Sequence, residues 1–596
     1  MLWIYPNRAV LAAIIVLTLL RGSPAPAQSP GNLFPPPPRT LTTSSRYVST
    51  TVFHWYTSSG GQLSGPWRPL EGRPAWTGES AFWQDQIKQM MSANIDVMYL
   101  HLIPSSEQQR VNLFEALSQM RAQGYDVPKV APFLDPPITW DGKPPVNLAT
   151  AAGRDEFVGH YIRFFEQYYS VNTDAEADSY LAQMNGRVQL DTWHVHLNTI
   201  NTSWMPRAEV VNRLVAAFGA DPLVFNNGIH MVTTALSPTL IFSDEKLTQF
   251  EVNDYFIPSQ TGTYRSAQLK PGYWDQNVRN PGSILPRDGG THYEAAWSSA
   301  NNDSALRHIN IESWNEYDEG SGIHRGDPGE PYIHPGSGNT STDAWSDTDD
   351  PLEYIKTTAA GARTFNSVPD RDARILWHNL PTRMRPGEEA DFQVVVRNDG
   401  DMSWTEAQQF RFGQQEFLPG EVVFGPGRFL LDDSQHEIPT YGGIFRGRPV
   451  TFDLHLTAPE TPGVYLTHWA MLQEHVTWFG QVLTLPIAVA IDGDYNTDGA
   501  VNAADYVVWR DTRGQSGTGL PADGNSDGQI DAADHGFWRA HFGDTVDSNL
   551  LARQAVPEPS AAVLLIFAIA VIYFQWVWRG LRLGLLIACG RVDNGA

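Results

Sequence analysis

The sequence predicts a multidomain protein: a (β/α)8 barrel, an all-β sandwich, a small α module built on two acidic loops, and a C-terminal transmembrane helix. Three observations carry this reading. From Ser45 to Asn366, apolar strand-like runs alternate with amphipathic helical ones, as in an α/β fold. From Arg371 to Ala490, short β-rich runs are broken by Gly, Pro and Asp, the spacing of an antiparallel sandwich. An Asp- and Asn-rich loop then occurs twice, ahead of a long apolar stretch.

At roughly 150 residues per domain, the 596 residues allow about four folded units. Hydrophobic residues at 42% and aromatics at 11% supply large cores and exclude global disorder. Lys and Arg total 41 against 66 Asp and Glu, a formal charge of -25 that repels a phosphate backbone and argues against nucleic acid as a partner. The single cysteine, Cys589, cannot form an internal disulfide, so stability outside the cell would rest on core size and bound ions.

Residues 1–27 read as a secretory signal: Arg8, an apolar run from Ala9 to Leu20, and small residues at Ala25 and Ala27 before the cleavage point. Arg21 ends that run after about twelve residues, short of the roughly 20 needed to span a bilayer. A linker at 28–44, with Pro35 to Pro38, leads into the barrel, 45–366.

Within the barrel the expected elements are strands at Tyr47–Trp55, Ile95–Leu102, Lys129–Phe133 and His308–Trp314, and helices at Phe82–Met91, Val111–Gln123, Phe157–Tyr169 and Ala208–Phe218. Chemistry in such a barrel sits at the C-terminal strand ends. The last strand ends in carboxylates: Glu312-Ser313-Trp314-Asn315-Glu316-Tyr317-Asp318-Glu319-Gly320. Period-two alternation sends Ile309 and Ile311 toward the outer helices and Asn310, Glu312 and Trp314 into the lumen. A turn after Trp314, helped by Gly320 and Gly322, would converge Glu316 and Glu319. Two such carboxyls beside one glycosidic bond can hold different protonation states, as acid/base hydrolysis requires.

This segment, Asn315-Glu316-Tyr317-Asp318-Glu319-Gly320, with Phe53-His54-Trp55-Tyr56 on the first strand, resembles glycoside hydrolase family 99 and its bacterial relatives, whose last strands end in Asn-Glu-Trp-x-Glu-Gly. The resemblance implies that Glu316 assists attack by the sugar's own 2-hydroxyl and that Glu319 is the general acid/base, both acting on a polysaccharide or glycan. Tyr317 in place of Trp, the added Asp318 and the upstream Glu312 depart from the pattern, so mannose specificity is not implied. Trp55, Tyr56, Trp274, Tyr293, Trp297, Trp314 and Asn315 are the expected substrate-binding residues, the aromatics as flat walls for sugar rings. Arg279 and Arg287 could meet an acidic glycan or pair with carboxylates, and His194 and His196 share one strand face, as barrel hydrogen-bond partners or metal ligands. No Gly-x-Ser-x-Gly elbow, P-loop, dinucleotide glycine fingerprint or His-Glu-x-x-His helix occurs, and the barrel lacks Cys. The rival reading is a non-catalytic glycan-binding or structural envelope protein on the same fold.

In the sandwich, 371–490, the stretches Asn398 to Trp404, Thr457 to Trp469 and Trp478-Phe479-Gly480 resemble the tryptophan-rich immunoglobulin-like FW domain, with its tryptophans mostly in the core. Between 492 and 545, Asp494, Asn496, Asp498, Asn502 and Asp505 place oxygens at loop positions 1, 3, 5, 9 and 12 with Gly499 at 6, and Asp523, Asn525, Asp527, Asp531 and Asp534 repeat the set around Gly528. Six to eight oxygens on a tight turn are what Ca²⁺ takes, and Asp at position 12 leaves room for a water. The duplicated loop-helix unit resembles a type I dockerin, which implies a cohesin-like or other envelope partner at Ala503-Ala504 and Ala532-Ala533. A calcium-stapled spacer is the alternative. After a linker at 546–555, Val556-Pro557-Glu558-Pro559-Ser560, the apolar Ala561–Trp578 and Arg579 and Arg582 resemble a PEP-CTERM sorting signal, 556–596. The resemblance implies export across the inner membrane and attachment to the envelope through a transmembrane helix.

Overall fold

The computed structural model describes residues 40–56, 68–102, 107–134, 146–192, 199–200, 207–219, 229–233, 247–252, 264–275, 279, 282–327, 350–417, 421–431, 443–517 and 519–545. The expected signal, the Pro-rich run, His194 and His196, and the sorting tail lie outside these residues. Among the described residues no helix is long and apolar enough to cross a membrane.

The first group of elements is β1 (Tyr47–Val52), α1 (Ser80–Ser92), β2 (Val97–His101), α2 (Glu107–Ala122), β3 (Lys129–Leu134), α3 (Ala151–Val171), β4 (Arg187–Thr192), α4 (Arg207–Phe218), β5 (Ile229–Thr233), β6 (Leu247–Val252), β7 (Tyr264–Leu269), α5 (Thr291–Asn302), β8 (Leu306–Ile311) and α6 (Glu353–Phe365). Seven strands pair in parallel in the order β7-β8-β1-β2-β3-β4-β5. Sequential strands joined through helices are the βαβ arrangement of a barrel wall. One feature departs from the expected eight parallel strands. β6 runs antiparallel to β7, pairing Leu247 with Leu269 through Val252 with Tyr264, and among the described residues β5 and β6 do not pair.

Helical spacing explains the outer layer. Trp83, Ile87, Met90 and Met91 on α1, Leu113, Phe114 and Leu117 on α2, and Phe157, Tyr161, Phe164, Phe165 and Tyr168 on α3 are buried against the outward strand residues Val48, Val52, Met98, Leu100, Ile309 and Ile311. A smaller cluster of Leu41, Tyr47, Val97, Tyr99, Ala131 and Phe133 uses the opposite strand face and fills the base of the lumen.

The sandwich comprises β9 (Ala373–His378), β10 (Arg383–Met384), β11 (Glu389–Asn398), β12 (Phe410–Gln414), β13 (Arg428–Leu430), β14 (Pro449–Thr457), β15 (Gly463–Gln473) and β16 (Thr477–Val489). They form sheets β9-β11-β14 and β10-β16-β15-β12-β13. Trp404 and Trp469 are fully buried between them with Phe410, Phe412 and Phe452, so these tryptophans are core. Arg446 joins sandwich to barrel: it pairs with Asp96 at the start of β2 (2.8 Å) and with Asp401 (2.6 Å).

The last group holds α7 (Ala503–Thr512) and α8 (Ala532–His541), each opened by a capping box, Asn502 with Asp505 and Asp531 with Asp534. The halves lock reciprocally. Trp509 Nε1 donates to the Asp531 carbonyl (2.6 Å) and Trp538 Nε1 to that of Asn502 (3.0 Å), the equivalent position of the other loop.

Candidate active site

The site grows from the upper end of β8. His308, Asn310 and Glu312 face the lumen, where His308 Nε2 meets Ser49 Oγ at 2.7 Å, His308 Nδ1 meets Ser266 Oγ at 2.8 Å, and the Tyr47 ring stacks on the imidazole at 4.3 Å. Alternation therefore places Ile309, Ile311, Asn310 and Glu312 as expected. It fails at Trp314, because the strand ends at Ile311 and the chain bends through the cis Glu312–Ser313 peptide, two residues before the expected turn. Trp314 is turned away from the lumen into the outer core, with its indole N–H on Gln86 Oε1 of α1 (3.0 Å) and no exposed surface, so it is not a sugar platform.

The bend is tied on both sides. Asn315 donates to the Phe53 carbonyl (2.8 Å) and accepts its N–H (2.9 Å), clamping the bend to the end of β1, so it is a structural clamp and not a substrate contact. The Glu316 N–H donates to Ser313 Oγ (2.7 Å), and the Ser313 N–H to the Ser321 carbonyl (3.0 Å). Arg287, 1% exposed, donates to the carbonyls of Gly320 (3.0 Å) and Gly322 (2.7 Å) and covers the Tyr354 ring, which removes it as an anion-binding candidate. Gly320 sits at φ 58°, a conformation open to glycine at the tightest point of the return.

This frame brings four carboxyls into one electrostatic neighbourhood. Glu316 is 8% exposed and accepts the Tyr56 hydroxyl hydrogen. Burial holds its carboxyl well above the usual carboxylate range, and the charges of Glu319 and Asp318 push the same way. Burial, with Glu319 adding, also lifts Asp318 to about 6, against the Tyr56 hydrogen bond. Glu312 is raised by burial and opposed by Lys270, whose Nζ lies 3.2 Å from it, while Gln268 donates to its other oxygen. Glu319 accepts from Arg279 (2.9 Å), which also donates to Asp275 (2.7 Å) and to the Tyr273 hydroxyl (2.8 Å). Glu316 is thus buried on a tyrosine and Glu319 held by an arginine, with the charge of Glu319 acting on Glu316.

The expected aromatic walls are mostly core. Tyr293 and Trp297 lie on α5 against α6, where a Cβ on Gly361 would come within 2.2 Å of the Trp297 ring, and Trp274 is buried with its backbone N–H on the Glu319 carbonyl (2.7 Å). These large rings fill space between layers and cannot stack on a sugar. Tyr56 is buried too, and touches the site through its hydroxyl. Trp55 alone of the set keeps partial exposure, edge-on to Phe53 and His101. Sequence reasoning did not assign Gln268, Lys270, Tyr273 or Asp275. The alternation applied to β8 finds the first on β7 and the second one residue past its end, since Ser266, Gln268 and Lys270 share a face.

In the paired acidic loops, positions 1 and 12 organise the backbone. Asp494 accepts from Gly499 (2.8 Å) and Asp498 (3.2 Å), Asp505 from Tyr495, Asn496 and Asn502, and Asn496 Nδ2 donates to Asp498. Asp523, Asn525, Asp527, Asp531 and Asp534 repeat these contacts, with Gly499 and Gly528 both at positive φ. The donor set is all oxygen and suits a hard cation such as Ca²⁺. Among the described residues no three His, Cys, Asp or Glu side chains meet closely enough to hold a metal as they stand.

A family model described as the Ig-like domain from next to BRCA1 gene matches residues 380–489, within the sandwich. Among solved structures the chain is similar to a GH99 endo-alpha-mannosidase from Bacteroides thetaiotaomicron, at 14% identity and a TM-score of 0.35, over 55% of this chain and 98% of that one. It is also similar to a family 39 glycoside hydrolase from Bacteroides cellulosilyticus WH2, at 9% identity and a TM-score of 0.23, over 70% of this chain and 82% of that one. No curated protein matches.

Proposed function

We propose that the protein is an exported, envelope-attached glycoside hydrolase that cuts a polysaccharide or glycan with Glu316 and Glu319. The observation that carries this reading is the unequal pair at the end of β8: Glu316 buried on Tyr56 with its carboxyl raised, and Glu319 ion-paired to Arg279. Acid/base work needs two carboxyls whose surroundings push their protonation apart. Glu316, whose burial favours the protonated form, is then the candidate proton donor and Glu319, ion-paired to Arg279, its partner, the reverse of the division that the family 99 resemblance implies. The two loops hold Ca²⁺, with Asp494, Asn496, Asp498, Asn502 and Asp505, and their five counterparts, as oxygen ligands, and the module docks on a cohesin-like or envelope partner. The signal and tail carry the chain across the inner membrane and anchor it.

The test is release of reducing ends from mannan, xylan, laminarin, pectin and alginate by the full chain and by Glu316→Gln and Glu319→Gln. Loss of the proton donor spares substrates with a good leaving group such as 2,4-dinitrophenol; loss of its partner does not. The second reading, a barrel that binds glycan without cutting it, draws on the Arg279 ion pair, which holds Glu319 in place. Turnover absent on every substrate favours it, while turnover unchanged in both variants refutes the assignment of Glu316 and Glu319.

A further inference from the structure

We propose that Tyr56 and Asp318 are positioning residues for Glu316: between them they occupy its Oε1 and leave Oε2 as the oxygen that carries the proton and delivers it. This rests on Glu316 being the proton donor of the proposed hydrolysis and adds the atom through which it acts.

Two donors end on the same carboxyl oxygen. The Tyr56 hydroxyl donates to Glu316 Oε1, and the Asp318 N–H donates to it at 3.2 Å. A backbone N–H can only donate, so Oε1 acts as the acceptor and a proton placed there would be turned against it. The Tyr56 ring is fixed in the core, where Tyr317 meets it edge-on at 5.1 Å and Trp76 meets Tyr317 in turn at 4.8 Å. Burial, with the charges of Glu316 and Asp318 pushing the same way, holds the phenol well above its usual range, so it too remains a donor. Oε2 takes no hydrogen bond among the described residues, which makes it the oxygen left to a ligand. The charged and titratable groups that face Glu316 among those residues are Tyr56, just past β1, and Asp318 and Glu319 on the bend itself; Arg279, after β7, reaches it through Glu319. Asp318 therefore acts twice, its N–H ordering Oε1 and its carboxyl charge favouring the protonated form. In the step itself the Oε2–H bond breaks, and the proton goes to the glycosidic oxygen as that oxygen takes the electron pair of its bond to the anomeric carbon. A water oxygen bonds to that carbon and gives its proton to Glu319. The carboxylate left on Glu316 keeps both donors on Oε1.

The experiment is infrared difference spectroscopy of the full chain, in which the carboxylic C=O band of Glu316 is the one lost in Glu316→Gln. That band is titrated from acid to alkaline pH in the parent, Tyr56→Phe and Asp318→Asn. Tyr56→Phe takes one donor from the C=O, so the band is expected to move to higher wavenumber and its titration midpoint to rise. Asp318→Asn keeps the N–H and removes the charge, so the band is expected to stay in place and its midpoint to fall. Opposite midpoint shifts separate positioning from a general loosening of the site, which moves both variants the same way. A band unmoved by Tyr56→Phe, midpoints that shift together, or no band lost in Glu316→Gln overturns the proposal. Hydrolysis is judged separately: the expected shifts without turnover of any polysaccharide leave the proton placement standing and remove the hydrolase reading, whereas turnover without those shifts keeps the hydrolase reading and removes the placement.

Discussion

Glu316 is a carboxyl whose burial opposes its ionisation, and that has a consequence for stability. A carboxyl raised in the folded state binds its proton more tightly there than in the unfolded chain, whose glutamates titrate near about 4.3. Its contribution is fully present below that value and is lost as pH climbs toward and past the raised folded value. Gln has no such loss. Glu316→Gln is therefore expected to match the parent at pH 4 and to exceed it in stability at pH 8, seen as a Tm difference that opens with pH. A variant less stable than the parent at pH 8 contradicts the assignment. Tyr56→Phe removes the hydrogen bond that opposes the rise, so the pH-rate limb governed by Glu316 is expected to move up.

The elements were largely legible. Strand and helix runs read from periodicity coincide with β1, β2, β3, α1, α2, α3 and α4, because apolar spacing reports directly which face each element buries. Trp314, Tyr293 and Trp297 were misplaced for one reason: an aromatic near a site and an aromatic between layers use the same residue type, and only the bend at Glu312 or the packing of α5 on α6 separates them. That packing is testable. Gly361→Ala drives a methyl into the Trp297 ring and is expected to cost about 1–3 kcal/mol, read from denaturant midpoints, while an exposed Trp297 would leave stability unchanged. Asn315→Ala strands the N–H and carbonyl of Phe53 and is expected to cost about 2 kcal/mol or more.

At the scale of the whole molecule, composition and repeats announced separate units, but the contact between barrel and sandwich had no local signature. Arg446 reaches Asp96, separated from it by most of the barrel and half the sandwich, and also holds Asp401. Arg446→Ala removes a buried counter-charge from both carboxylates and is expected to cost about 3 kcal/mol or more and to split a shared calorimetric transition into two; a single unshifted transition refutes the clasp. Removing Ca²⁺ with EGTA is expected to lower the unfolding temperature of the acidic-loop module in the parent and to have no effect once Asp494 and Asp523 are replaced by Ala. The central claim is tested most directly by reducing-end release from the polysaccharide panel by the parent, Glu316→Gln and Glu319→Gln side by side. The account predicts turnover of at least one polysaccharide by the parent and losses of about 10²–10⁴-fold in each variant. A parent that cuts none of them, or variants that cut as fast as the parent, would contradict it.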